Sequence, residues 1–183
     1  MLYLRYFGLA IAVGLAAAPM TLRAQGADTM SDSDYVAKVM TAAPAAVAKG
    51  ATVVEMNADG TARTVQTGTN GFTCMLLLGT PACADKNAMA WMQSMMSHSA
   101  PPASVGFMYM LAGDSGASNT DPLAKAPTAG NHWVKTGPHV MILGPAAATM
   151  GYPMTADADA SQPYVMWAGT PYAHLMIPVS SEP

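Results

Sequence analysis

Two short stretches of the chain repeat one arrangement: Pro138–Leu143 reads PHVMIL and Ala173–Pro178 reads AHLMIP. Each sets a histidine two residues before a methionine. On a β-strand side chains alternate between faces, so that spacing puts imidazole and thioether on the same side. His139 then shares a face with Met141, and His174 shares one with Met176. If the strands are antiparallel neighbours with His139 opposite Met176 and Met141 opposite His174, two imidazoles and two thioethers converge, with cross-strand Cβ atoms about 4.5–5.5 Å apart. Thioethers are soft donors that select Cu(I), and imidazole also suits copper. His139, His174, Met141 and Met176 are therefore a candidate copper set. The pattern has a plainer reading as well. Methionine is abundant, 17 in 183 residues, and a methionine-rich layer is an adaptable packing surface. On that reading Val140, Ile142, Leu175 and Ile177 make the core face, and the histidines are structural or touch a ligand.

A second candidate lies in GDSGASNTDP. Asp114, Ser118, Asn119 and Asp121 offer hard oxygen ligands of the kind Ca²⁺ takes, although the spacing is not that of an EF-hand. The alternative is a loop held by side-chain to backbone bonds. Met92, Met95, Met96 and His98 form a third soft cluster, but at helical spacing they match a core stripe. The ingredients of a hydrolase are present in Ser115, Ser118, Asp114, Asp121, His139 and His174. No G-x-S-x-G surrounds a serine, no carboxylate pair stands out, and no Walker loop, Rossmann fingerprint or haem-attachment motif occurs. No catalytic residue is assigned on these grounds, and the balance leans away from an enzyme.

The elements that must carry these residues are mostly strands. SDSDYVAKVMTAA reads as a helix with Ser31 and Asp34 as a capping box, broken before Pro44. PAAVAKG restarts as a short helix. ATVVEM and TARTVQT read as a hairpin around Asp59-Gly60, followed by GFTCMLLL as a third strand. DKNAMAWMQSMMSH is the clearest helix, capped by Asp85, with Ala88, Trp91, Met92, Met95 and Met96 on one stripe. SVGFMYML and HVMILG are strands, HWVKT is a short one, and PAAATMG is one helical turn. PYVMWAGTPYAHLMIPV is a hairpin turning at Gly169–Pro171. Strands outnumber helices and connections are hairpin-like. The expected fold is α+β: an antiparallel sheet with helices packed on one face, a single two-layer domain.

Composition narrows the setting. Only 10% of residues are charged and the net charge is −3, which argues against a nucleic-acid partner, since that needs clustered Lys and Arg. The N-terminus, MLYLRYFGLAIAVGLAAAPMTLRAQG, has an early Arg5, an apolar run and small residues, the layout of a secretory signal peptide. Cleavage is placed after Ala24, leaving one domain over 25–183. The run is shorter than the roughly 20 residues a membrane span needs, and the mature chain has no transmembrane segment. In an oxidising compartment Cys74 and Cys83 are expected to form one disulfide, pinning LLLGTPA.

The strings GTNGFTC, MLAGDSGASNTDP, WVKTGPHVM and PYVMWAGTPYAHLMIPV, in this order, resemble a family of small, uncharacterised exported bacterial proteins. The resemblance runs from about Ala43 to Val179. Related sequences often carry Trp where Phe72 stands and an acidic residue where Ala173 stands. The resemblance implies export, a single domain, and a common core pattern holding the DSGASNTDP loop, His139 and His174. It implies no reaction, cofactor or partner. The expected function is a periplasmic or extracellular binding protein for a metal, copper being the one the donors suit, or for a small molecule. The alternatives are a small extracytoplasmic enzyme with a histidine general base, or a structural envelope protein.

Overall fold

A computed structural model describes residues 30–57 and 61–179. The expected signal peptide and the Asp59-Gly60 turn lie outside them. In chain order the elements are α1 (Asp32–Val39), α2 (Ala45–Ala48), β1 (Thr52–Met56), β2 (Ala62–Gln66), β3 (Phe72–Leu77), β4 (Thr80–Asp85), α3 (Lys86–Met96), β5 (Gly106–Met110), β6 (Ala117–Ser118), β7 (Trp133–Val134), β8 (His139–Leu143), β9 (Tyr164–Met166) and β10 (His174–Pro178), with 3-10 turns at Met40–Ala42 and Pro145–Thr149. Eight strands form one sheet in the order β2-β1-β3-β4-β5-β8-β10-β9, and β6 pairs with β7 above it. Every pairing is antiparallel except β1 with β3.

The helices do not share one face, which corrects the two-layer expectation. Val53, Cys74, Cys83 and Tyr109 are cross-strand partners, and with α1, α2 and the first 3-10 turn they form one core. Farther along the same face Leu175 and Val165 pack on Ala147 of the second 3-10 turn. The alternate residues, Met75, Ala82, Ala84 and Met108, face the other way and pack on Ala88, Trp91 and Met92 of α3. A broad sheet with apolar residues at both parities must be covered on both sides.

Local chemistry explains the pieces. Ser31 caps α1, accepting from the Asp34 N–H and donating to the Asp34 carboxylate at 2.6 Å. Asp85 caps α3 by accepting from the Ala88 N–H at 2.8 Å. Of the predicted stripe, Ala88, Trp91 and Met92 are buried and Met95 packs against them, while Met96 is 57% exposed. LLLGTPA is not a pinned loop. Leu77 pairs with Thr80 and Cys74 with Cys83, so the Cys74–Cys83 disulfide ties two directly opposed strand residues and the hairpin turns at Leu78-Gly79. Both turn residues have positive φ, 49° and 82°, as a type I′ turn requires.

One glycine sets how α3 lies on the sheet. A Cβ on Gly106 would stand 2.4 Å from the Ala88 nitrogen, so the first turn of the helix rests directly on the β5 backbone.

Tyr35 holds β1 and β3 where they diverge. Its hydroxyl donates to Val54 O at 2.9 Å and accepts from the Leu76 N–H at 3.2 Å. Tyr35→Phe leaves both backbone groups unpaired and is expected to lower unfolding free energy by about 1–3 kcal/mol, read from urea denaturation. Leu78 holds a left-handed conformation while 90% exposed. Leu78→Asn relieves that at a position where Asn-Gly is preferred, and should raise stability by about 1 kcal/mol. An unchanged melting temperature would refute that account of the turn.

Candidate functional site

The strands of both His-x-Met stretches are neighbours, but their register differs from the one supposed. His174 pairs with Leu143, Met176 with Met141, and Pro178 with His139. The two methionines therefore oppose each other. The histidines lie four residues apart along the ladder, about 13 Å at 3.3 Å per residue. The pairings of β8 with β5 and of β10 with β9 extend this into transverse rows on one face of the sheet. Met110, His139 and Pro178 form the first. Met108, Met141, Met176 and Tyr164 form the second. Gly106, Leu143, His174 and Met166 form the third. A band of three thioethers thus crosses three strands, with one imidazole on each side of it.

This face, not the aliphatic one, is the more deeply buried. His139 is 0% and His174 3% exposed, and Met108, Met110, Met141 and Met176 are buried, whereas Val140, Ile142 and Ile177 are only half-buried. The aliphatic parity keeps a core of its own, with Leu175 and Val165 each 1% exposed, so the expectation that it alone makes the core face is corrected to burial on both faces. Here α3 and the 111–136 segment cover the histidine side.

Both imidazoles are held in the same tautomer. The ring nitrogen Nδ1 lies 2.7 Å from Gly137 O in His139 and 3.0 Å from Tyr172 O in His174. A carbonyl only accepts, so Nδ1 carries the proton and Nε2 keeps its lone pair. This is the arrangement by which ligating histidines are oriented. His139 Nε2 is buried and has no hydrogen-bond partner. Burial drives the His174 pKa down to about 4; the Tyr172 carbonyl opposes that shift and the charge of His139 adds to it. Burial likewise lowers His139, with the Gly137 carbonyl and Asp114 pulling the other way.

The polar groups above the band are used in structure. Asp114 Oδ1 accepts from the N–H groups of Gly116 and Thr136 at 2.8 and 3.0 Å. Thr136 Oγ1 and the Tyr164 hydroxyl are 2.8 Å apart, and burial pushes Tyr164 up to about 12. Ser118 Oγ donates to Asn131 O at 2.6 Å and accepts from the N–H groups of Thr120 and Asp121. Asn119 Nδ2 donates to Thr155 O and Ala156 O. Asp121 Oδ1 accepts from Leu123 N–H. Asp114, Ser118, Asn119 and Asp121 thus spend their polar atoms on backbone, the side-chain to backbone alternative. Asn119 Oδ1 is buried and unpartnered. Asn119 also lines a cleft of about 220 Å³ with Thr120, Met154, Thr155, Ala156 and Ala168. A larger hollow of about 530 Å³ lies at the far edge of the sheet, around Arg63, Asp32 and Glu55.

Residues without a chemical signal in the sequence complete the His174 end. Trp91 of α3 and Trp167, just after β9, stack at 6.1 Å with their planes 4° apart. His174 stands nearly perpendicular to both, at 5.4 and 4.8 Å between centroids. Tyr172 meets Trp91 edge-on at 6.1 Å. The contacts of Trp91 join segments roughly 80 residues apart, beyond any local spacing rule. Among the described residues no three His, Cys, Asp or Glu side chains gather where they could hold an ion. Any ion here depends on thioethers. No protein-family model, curated protein or solved structure matches the chain.

The lowered histidines make stability depend on pH. An unfolded imidazole titrates near 6.5 and folded His174 near 4. Between those values the unfolded chain binds the proton and the folded chain does not, so stability is full above pH 6.5 and falls as pH drops towards 4. His174 alone contributes up to about 3 kcal/mol to that fall, and His139 acts in the same direction. Urea midpoints at pH 7.5 and 4.5 measure it. The slope should shrink in His174→Phe, and a flat wild-type profile would contradict it.

Proposed function

We propose that this is an exported protein that binds a soft monovalent ion, with Cu(I) as the physiological candidate, at the histidine-methionine face. The observation that carries the reading is His139 Nε2. It is a neutral, fully buried lone pair with no partner, oriented by Gly137 O and set beside Met141 and between the strands bearing Met110 and Met176. An orphaned buried acceptor costs about 1–3 kcal/mol. A d¹⁰ ion that takes imidazole and thioether donors would offset that cost, and Met141, on the same face of β8, offers it a soft donor that oxygen-seeking cations do not favour. Both cysteines are joined in the disulfide, so no thiolate competes. His139 and Met141 would serve at one side of the band and His174 and Met176 at the other; four residues apart along the ladder, the two imidazoles cannot share one ion, and the ion would supply charge and coordination, not a reaction step.

Export is supported by the signal-peptide layout and by the disulfide, which suits an oxidising compartment. Among the described residues no helix is long and apolar enough to cross a membrane. A general-base enzyme has less support, because a base must reach its substrate and both imidazoles are sealed in the interior.

Calorimetric titration of Ag(I), and anaerobic competition for Cu(I) against a chromophoric chelator, should both show stoichiometric binding to the mature protein. His139→Leu, which keeps the side-chain bulk, should weaken affinity at least tenfold, about 1.4 kcal/mol. A folded protein that takes up neither ion would leave the histidines as core residues and overturn the reading.

A further inference from the structure

We infer that a second soft-ion position lies at the His174 end of the band, four residues along the ladder from His139, where Trp91 and Trp167 hold a bound Cu(I) or Ag(I) by cation–π contact and keep water from it. The inference rests on the soft-ion reading and adds the aromatic groups and the position. His174 donates Nδ1–H to Tyr172 O, so Nε2 is the ligating atom. Met166 lies directly opposite on β9, and Met176 lies two residues along the same face. Both thioethers are buried. One nitrogen and two sulfurs are a sufficient soft set, and indole is the aromatic ring that attracts a cation most strongly.

The two indoles are fixed in ways that simple packing does not require. Trp167 sits at φ 56°, a left-handed conformation that is unfavourable for a bulky residue. It is locked there by two bonds to the 111–136 segment: Nε1–H donates to Ser118 O at 2.7 Å and the backbone N–H donates to Asn119 O at 2.9 Å. Ser118 and Asn119 thereby acquire a positioning role, holding the indole beside His174 while their own side chains tie down the loops. Trp91 is buried with its indole N–H unpartnered, a cost that Phe in the same space would avoid. Tyr172 closes the side of the box against Trp91 and anchors its hydroxyl on Ser99 O at 3.0 Å. Two indoles stacked in parallel, each nearly perpendicular to one neutral imidazole, make sense as the wall of a cation site. Such a wall carries no charge and no oxygen, so it discriminates against hydrated Mg²⁺, Ca²⁺ and Zn²⁺ and favours an ion that sheds its water readily.

The test uses Ag(I), a redox-silent d¹⁰ ion, and indole emission. The chain has three tryptophans, so Trp133→Phe, outside the box, leaves only Trp91 and Trp167 to report. Titrating Ag(I) into that variant should quench emission with an end point equal to the calorimetric stoichiometry, since heavy-atom quenching acts at contact. Trp167→Leu in the wild-type background should weaken Ag(I) affinity by about 3- to 30-fold, and Trp167→Phe by less. Stoichiometric Ag(I) binding with unchanged emission in the Trp133→Phe protein would overturn the aromatic site and leave the soft-ion reading standing. Absence of Ag(I) binding would remove both. The Trp133→Phe titration keeps the box intact, so the test remains decisive if a Trp167 variant fails to fold.

Discussion

The register of β8 between β5 and β10 is the constraint from which the rest follows. It aligns Met108, Met141 and Met176 into one band and sets His139 and His174 on opposite sides of it. A two-residue slip would keep every side chain on its face, because parity is preserved, yet it would place a histidine against a methionine in both pairs. What selects the observed alignment is geometry at the ends. The Val179 N–H donates to Pro138 O just beyond the ladder. At the other end Gly106 pairs with Leu143, which pairs with His174, and Gly106 is where the α3 backbone comes down on the sheet. Trp91 lies one helical turn beyond Ala88, so the helix that needs Gly106 also carries an indole to the His174 row.

Burying two imidazoles side by side with thioethers is tolerable because each solves half of its hydrogen bonding locally. Nδ1–H returns to the carbonyl two residues earlier in the same segment, a bond that costs no rearrangement when the strand forms. The remaining lone pair is left to the tertiary environment. Low polarity there keeps both rings neutral, which is the protonation state a metal ligand needs and also the state a core histidine adopts. The two roles share their electrostatics and differ only in what fills the space beyond Nε2.

Much of the local structure was legible in the residues. The Ser31 and Asp85 caps, most of the α3 stripe, the GFMYM part of SVGFMYML, the HVMIL strand and the final hairpin follow from short-range rules, and the structure forms each of them. The Cys74–Cys83 pair was legible too, but its setting was not: Leu78-Gly79 lacks the usual Asn-Gly signature, so the β3–β4 hairpin was hidden. Helix placement on both faces was obscured because the two parities of β8 look like a core face and a decorated one. Composition marks aliphatic residues as buried, yet here the cover over the histidine side is the more complete.

By itself the sequence determined which side chains share a face, since alternation along a strand is a backbone property, and it determined that imidazole and thioether would travel together. It also determined where helices begin, because a cap acts within one turn. Only the tertiary structure decided which strand neighbours which, in what alignment, and that Trp91 and Trp167 would flank His174. Those outcomes depend on contacts between segments distant in the chain, where closing a long loop is offset by packing that no local pattern encodes.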